Sequence, residues 1–296
     1  MAMIRFDCVM APTGQGVAAF DQVVAEGPAR LWSHDCSWDE LAVLCAGLAE
    51  VRGELDLAAD WPCRWTAAWR YAGDEVACAV RDLGCLPAAG CEPVRRFSWR
   101  PAQRHRAGLQ FLVSTGRHHG FESLEEARLL LALDFAGDLV DVLGQPVRLR
   151  YLTREGPREH VPDFLAFTRA GRWLIDVRPA ARVAAEDRVA FAATAEVAAA
   201  VGWRYAVVTG WRPHGLTTVD TLSSQRRPLT DRLGVVEELM TAVADGPRPF
   251  GELAAQTVAP AVARAYLLHL LWHRRLGMDL AVSLGDATLI YLGEYR

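Results

Sequence analysis

Apolar residues recur at helical spacing through residues 38–55, WDELAVLCAGLAEVRGEL, and Ser37 stands where an N-cap belongs, which predicts a helix. Residues 64–73, RWTAAWRYAG, read as a strand and turn. A second helix is expected over residues 122–135, ESLEEARLLLALDF. Residues 145–152, QPVRLRYL, alternate like a strand with Pro146 near its start, and TREGPRE is a turn. HVPDFLAFT and RWLIDVRP follow as two strands joined by Arg169-Ala170-Gly171. A helix runs through AEDRVAFAATAEVAAAVG to Gly202, a good residue for a left-handed helix end. WRYAVVT is an apolar strand, so the order is helix, three strands, helix, strand.

The next segment, RPHGLTTVDTLSSQRRP, reads as a linker. Beyond it come a helix from Leu229 to Asp245, a short helix at FGELAAQT and a longer one at PAVARAYLLHLLWHRRL. Two strands close the pattern, MDLAVSL and ATLIYL, joined at Gly285-Asp286. Three helices followed by a hairpin is the winged-helix order.

The length of 296 residues suits two or three domains at roughly 100–200 residues each. Texture divides the chain into an N-terminal extension, 1–63, a middle region, 64–222, and a C-terminal region, 223–296. A formal net charge of -4 excludes a wholly basic nucleic-acid coat, so any DNA surface must be local. Histidines aside, every basic side chain is arginine; there is no lysine, which a GC-rich coding bias explains.

The seven cysteines lie between Cys8 and Cys91 without a C-x-x-C pair. His34, Cys36 and Cys45 come nearest to a metal cluster but match no structural zinc spacing. Reduced thiols in a cytoplasmic protein are the expectation. With no signal-peptide pattern and no apolar run long enough for a bilayer, no membrane partner is expected.

Two features carry chemistry. PVRRFSWRPAQRHR gathers Arg95, Arg96, Arg100, Arg104 and Arg106 around Phe97 and Trp99. That mixture suits phosphate contact and base stacking, and equally a solvated loop. Arg117, His118 and His119, flanked by glycines, form a candidate DNA-contact loop.

The second feature is acidic. Asp163 and Asp176 lie on adjacent predicted strands, and Arg178 shares a face with Asp176 because side chains alternate. Pairing around Gly171 would bring the two carboxylates together, where they repel unless a divalent cation such as Mg²⁺ or Mn²⁺ lies between them. Glu126 falls on the apolar side of its helix. It is either a third site carboxylate or the partner of Ser123 in a capping box.

The order Glu, Asp, Asp-x-basic over helix, strand and strand is that of PD-(D/E)xK nucleases. The wider stretches PVRRFSWRPAQRHRAGLQFLVSTGRHHGFES, DFAGDLVDVLGQPVRLRY, HVPDFLAF and LIDVRP resemble the TnsA-like endonuclease subunit of heteromeric transposases. The resemblance covers about 64–222. It implies an α/β (α+β) protein with a restriction-endonuclease-like core, a mixed central sheet and a trailing winged-helix-like domain. It also implies a Mg²⁺-dependent DNA endonuclease, with Mn²⁺ able to substitute, that nicks the 5′ ends of a mobile element. A DDE-type transposase and an AAA+ ATPase regulator would be its partners, in a bacterial cytoplasm and at the nucleoid. Glu126, Asp163 and Asp176 would bind metal, with Gln145 and His160 in support.

Two departures stand out. DFAG replaces the commoner D-F-D-P, and Arg178 stands where the pattern has lysine. Arginine keeps its charge and cannot serve as a base, but it can stabilise charge developing on a phosphate. A stand-alone restriction or defence nuclease and a catalytically inactive DNA- or protein-binding subunit are the competing expectations.

Overall fold

The computed structural model describes residues 30–85, 90–95 and 107–293. Arg96, Arg100, Arg104 and Arg106 therefore lie outside the described residues.

A one-turn helix α1 (Trp38–Leu41), started by Ser37, runs straight into strand β1 (Ala42–Leu44). A 3-10 stretch (Leu48–Glu54) and the short helix α2 (Trp61–Arg64) lead to strands β2 (Thr66–Tyr71), β3 (Asp74–Ala79) and β4 (Cys91–Glu92). The hairpin β5 (Gly108–Leu112) and β6 (Arg117–Phe121) precedes helix α3 (Leu124–Ala136). Five strands follow: β7 (Leu139–Gly144), β8 (Arg148–Thr153), β9 (Gly156–His160), β10 (Phe164–Thr168) and β11 (Gly171–Val177). Helix α4 (Ala185–Ala200), strand β12 (Arg204–Trp211) and helix α5 (Gly215–Ser223) complete this part. The rest holds α6 (Val235–Ala244), β13 (Arg248–Pro249), α7 (Phe250–Ala255), α8 (Pro260–Trp272), β14 (Leu276–Gly277) and β15 (Leu289–Leu292).

The chain is thus a mixed α/β protein. Its central sheet has the order β1-β12-β11-β10-β7, with β11 and β12 parallel and the other neighbours antiparallel. A second sheet has the order β3-β2-β8-β9, with β4 beside β2.

The central sheet separates two hydrophobic cores, and the pleat of β10 assigns its residues to them alternately. Phe164 and Ala166 join α3 and the C-terminal helices on one face. Leu165 and Phe167 join α4 and the second sheet on the other. Both faces are covered, so β10 is buried throughout, and its apolar run carries no polar alternation.

Several predicted elements change. The helix expected over 38–55 stops after one turn. Its next residues pair with β12, Ala42 opposite Trp211 and Val43 opposite Gly210, because a continued helix would leave that sheet edge open. Gly47, at a φ of 73°, then turns the chain. Residues before 63 therefore contribute a strand to the central sheet. DLVDVLG forms β7, the true neighbour of β10, whereas QPVRLRYL pairs in the second sheet with β9, which includes most of the expected TREGPRE turn. The expected linker contains α5.

MDLAVSL is not a strand of a terminal hairpin. The Met278 carbonyl accepts from the Ser33 amide and the Leu280 amide donates to the Leu31 carbonyl instead, and both Met278 and Leu280 are buried there. The C-terminal part keeps three helices, but its small sheet runs β13-β15-β14. Among the described residues no helix is long and apolar enough to cross a membrane.

One core is shared by the middle and C-terminal parts: Leu129, Phe135, Val219, Leu267 and Leu271 belong to a single buried cluster. Phe135 of α3 meets Trp272 of α8 at 5.4 Å between ring centroids. The Arg274 guanidinium bonds both the Ala136 carbonyl and the Cys36 carbonyl, tying three parts of the chain at one point.

Candidate active site

Strands β10 and β11 pair with Phe164 opposite Ile175 and Thr168 opposite Gly171. One step further along this register, Asp163 stands opposite Asp176. Asp163 lies in the bend just before β10 rather than in the strand, and its Oδ2 accepts from the Val177 amide at 2.7 Å. Asp176 is a buried residue of β11. Alternation carries Arg178 to the same side, and a cavity of about 290 Å³ is lined by Glu126, His160, Asp163, Asp176, Arg178 and Asp187.

The Asp176 carboxylate is held from two sides. Its Oδ1 lies 2.9 Å from His160 Nε2, at the end of β9, and its Oδ2 accepts from the Tyr205 hydroxyl at 2.6 Å, from β12. Burial works against the His160 imidazolium, but the charge and hydrogen bond of Asp176 outweigh it and raise the histidine's pKa. The Tyr205 phenol is pushed well above its ordinary value by burial and by Asp176. It therefore stays a neutral donor.

Glu126 takes part in the helix cap and also lines the cavity. Ser123 caps α3 by accepting from the Glu126 amide at 3.2 Å. The Glu126 carboxylate in turn accepts from the Ser123 hydroxyl at 2.9 Å and from the Glu122 amide at 2.8 Å. The reciprocal bond reaches Glu122, one residue earlier than the standard capping box. The same buried carboxylate borders the cavity, and burial raises its pKa. Asp163 is raised well above the ordinary carboxylate range, first by burial and then by the charges of Asp176 and Glu126.

Gln145 supports the site through its backbone and its side chain. It is buried, with a left-handed φ of 48° that a non-glycine residue rarely adopts. Its amide donates to the Asp163 carbonyl at 2.7 Å, and its carbonyl accepts from Val94. Its side-chain oxygen accepts from Arg95 Nε at 2.9 Å, while Arg95 Nη2 pairs with Glu122 at 2.8 Å. Arg95 is thus fastened at the cavity's edge between the Asp163 turn and the start of α3.

Arg178 is already engaged. Its Nε donates to Asp187 Oδ2 at 3.1 Å and to the Arg182 carbonyl at 3.2 Å. Asp187 also accepts from the Ala184 amide at 2.9 Å and so holds the first turn of α4.

The candidate DNA loop at 117–119 is a strand, β6. Arg117 pairs with Asp141, and His119 is buried and bonded to Thr115 at 2.8 Å. Burial lowers the His119 pKa, which keeps it neutral. Only His118 of the two histidines is exposed, with its ring against Phe111. Tyr205, Asp187 and Glu122 had no signal of their own in the sequence. Tyr205 sits in an apolar strand, and only the parallel register of β11 and β12 shows that it can reach Asp176.

Among the described residues no three His, Cys, Asp or Glu side chains gather closely enough to hold a metal ion. The donor chemistry nonetheless suits Mg²⁺ or Mn²⁺: carboxylate oxygens bordering one cavity, with Asp163 under the electrostatic load that a divalent cation offsets. Comparison with protein-family models and with curated proteins gave no match.

Proposed function

We propose that the chain is a metal-dependent DNA endonuclease of the TnsA-like kind, which nicks the non-transferred strand at the 5′ ends of a mobile element. A DDE-type transposase and an AAA+ ATPase would be its partners. The observation that carries this reading is the meeting of Glu126, Asp163 and Asp176 at one cavity, with Arg178 on the same side as Asp176. The succession α3, β7, β10, β11, α4, β12 supports a restriction-endonuclease-like core. The succession α6, β13, α7, α8, β14, β15 supports a winged-helix-like unit.

Asp163, Asp176 and Glu126, which line the cavity without closing on one point, would hold the Mg²⁺ or Mn²⁺ ion once drawn together around it. When bound, the ion supplies Lewis-acid activation of the phosphodiester and of the attacking water. His160 and Tyr205 orient the Asp176 carboxylate. Gln145 braces the turn that carries Asp163 and aims Arg95 at the rim, where its charge meets the phosphate backbone. Arg178, released from Asp187, offers a guanidinium to the scissile phosphate and stabilises charge without exchanging a proton.

The winged-helix-like unit serves docking to a protein rather than reading of bases. Arg264, near the start of α8, is neutralised by Asp286 at 2.8 Å, while Val258 and Val262 beside it are exposed. A base-reading helix presents polar or basic side chains there.

A second reading has one observation in its favour. The bonds from Arg178 to Asp187 and to the Arg182 carbonyl suit a structural arginine, and with it a catalytically inactive DNA- or protein-binding subunit. Nicking of supercoiled plasmid by the purified chain, with Mg²⁺ or Mn²⁺ and with EDTA, separates the two. Metal-dependent nicking supports the nuclease. No nicking, with or without a DDE-type transposase added, sinks it.

A further inference from the structure

We infer that Tyr205 is a positioning residue of this site, acting through Asp176; the inference rests on the metal-dependent nuclease reading. Strand β12 runs parallel to β11, with Tyr205 opposite Leu174 and Val207 opposite Asp176. Tyr205 thus stands one pleat before Asp176 on the same face. A phenol is long enough to cross that diagonal, and its hydroxyl reaches Asp176 Oδ2 at 2.6 Å.

The Tyr205 hydroxyl is the donor of this bond and Asp176 Oδ2 the acceptor. Its hydrogen bond to Asp176 is the one it makes among the described residues. A buried phenol without a partner would be costly, which explains the presence of a hydroxyl partner but not its identity. The identity follows from the second donor. His160 reaches Oδ1 at 2.9 Å from β9, on the opposite flank. Two donors from two strands on two oxygens fix the plane of the carboxylate. A single donor would leave it free to rotate about its Cβ–Cγ bond.

Residues that hydrogen-bond a ligating carboxylate orient it for the metal, and their loss typically costs about 10–100-fold in metal affinity. That is the contribution assigned to the Tyr205 hydroxyl. Its aromatic ring, by contrast, only packs against the α4-facing core.

The test separates hydroxyl from ring. Mn²⁺ binding to the full chain is measured by the loss of the free-ion electron paramagnetic resonance signal, in the wild type, Tyr205→Phe and Asp176→Asn. Tyr205→Phe is expected to bind Mn²⁺ about 10–100-fold more weakly. Its nicking rate should approach the wild-type rate once Mn²⁺ is raised to saturation, a split that a general loss of structure would not give. Asp176→Asn should lose binding at every concentration used.

Equal Mn²⁺ affinity in the wild type and Tyr205→Phe overturns the role of Tyr205 and leaves the nuclease reading standing. A wild-type chain that binds no Mn²⁺ overturns the metal reading, and this role with it. Loss of the folded circular dichroism signal in Tyr205→Phe overturns the assignment too, since the hydroxyl would then hold the fold together rather than orient a ligand.

Discussion

The guanidinium of Arg178 is bonded to Asp187, through Nε and Oδ2 at 3.1 Å, across the mouth of the acidic cavity. The same Nε donates to the Arg182 carbonyl at 3.2 Å, so the guanidinium is held by two acceptors beside the start of α4. If the charge also serves cleavage, Arg178→Ala should lower the nicking rate by about 10²-fold, the scale of one transition-state contact. Arg178→Lys should keep part of the activity. Asp187→Asn, which keeps an acceptor oxygen but loses the charge, should weaken the hold on Arg178 and raise nicking. Wild-type rates in Arg178→Ala would assign the residue to the α4 start alone. Nicking by Arg178→Lys in an otherwise inert chain would make the natural protein an inactive subunit.

Two substitutions at the start of α3 divide the roles of Glu126. Ser123→Ala removes the cap and should cost about 1 kcal/mol by chemical denaturation while nicking persists. Glu126→Gln keeps one of the two acceptor oxygens, so its stability cost should be no larger than about 1 kcal/mol. Its nicking should fall sharply at low Mg²⁺, because an amide is a poor ligand for that ion. If Glu126→Gln cleaves normally at all Mg²⁺ concentrations, the residue is a cap only.

Asp163→Asn should abolish nicking yet raise the thermal midpoint at pH 7. The folded-state pKa of Asp163 is raised by burial and by the charges of Asp176 and Glu126, so its ionised form opposes folding at neutral pH. The neutral amide removes that load and can still accept from the Val177 amide. The gain should shrink as pH falls and Asp163 itself takes up a proton. A lower midpoint for Asp163→Asn at pH 7 would refute the argument.

Acid should destabilise the packing of His273 beside His269 at the end of α8. His273 Nε2 lies 3.1 Å from the Arg226 carbonyl, and the His273 ring lies 4.3 Å from that of His269. Burial and the neighbouring His269 lower its pKa below the usual 6.5. A histidine depressed on folding binds fewer protons folded than unfolded, so its stability is present above pH 6.5 and is lost as pH falls through the folded value. The wild type should therefore lose more thermal stability than His273→Gln between pH 7 and pH 5. Parallel pH curves for the two proteins would rule this out.

The acidic site was legible because its parts are local. Asp176 and Arg178 are two residues apart on one strand, and Gly171 sets the register that carries Asp163 opposite them. Ser123 and Glu126 likewise signal a helix start within four residues. Tyr205 and Asp187 were not legible, since their roles depend on a parallel crossover and on where α4 begins. The failed helix at 38–55 has the same cause. Its periodicity is real, but pairing with β12 offers Ala42 and Val43 a better use of their backbone groups.

Arg274 ends α8 in a left-handed conformation, with a φ of 60°, and commits its guanidinium to the carbonyls of Ala136 and Cys36. The last turn of α3 is thereby stapled to α8, while its first turn carries Glu126. Helix α3 is a rigid rod of 13 residues, about 20 Å long at 1.5 Å per residue. Whatever pulls on the C-terminal unit pulls on the handle of that rod. A truncation near residue 222 would therefore strip α8 from α3 and leave Phe135, which Trp272 covers, open to water.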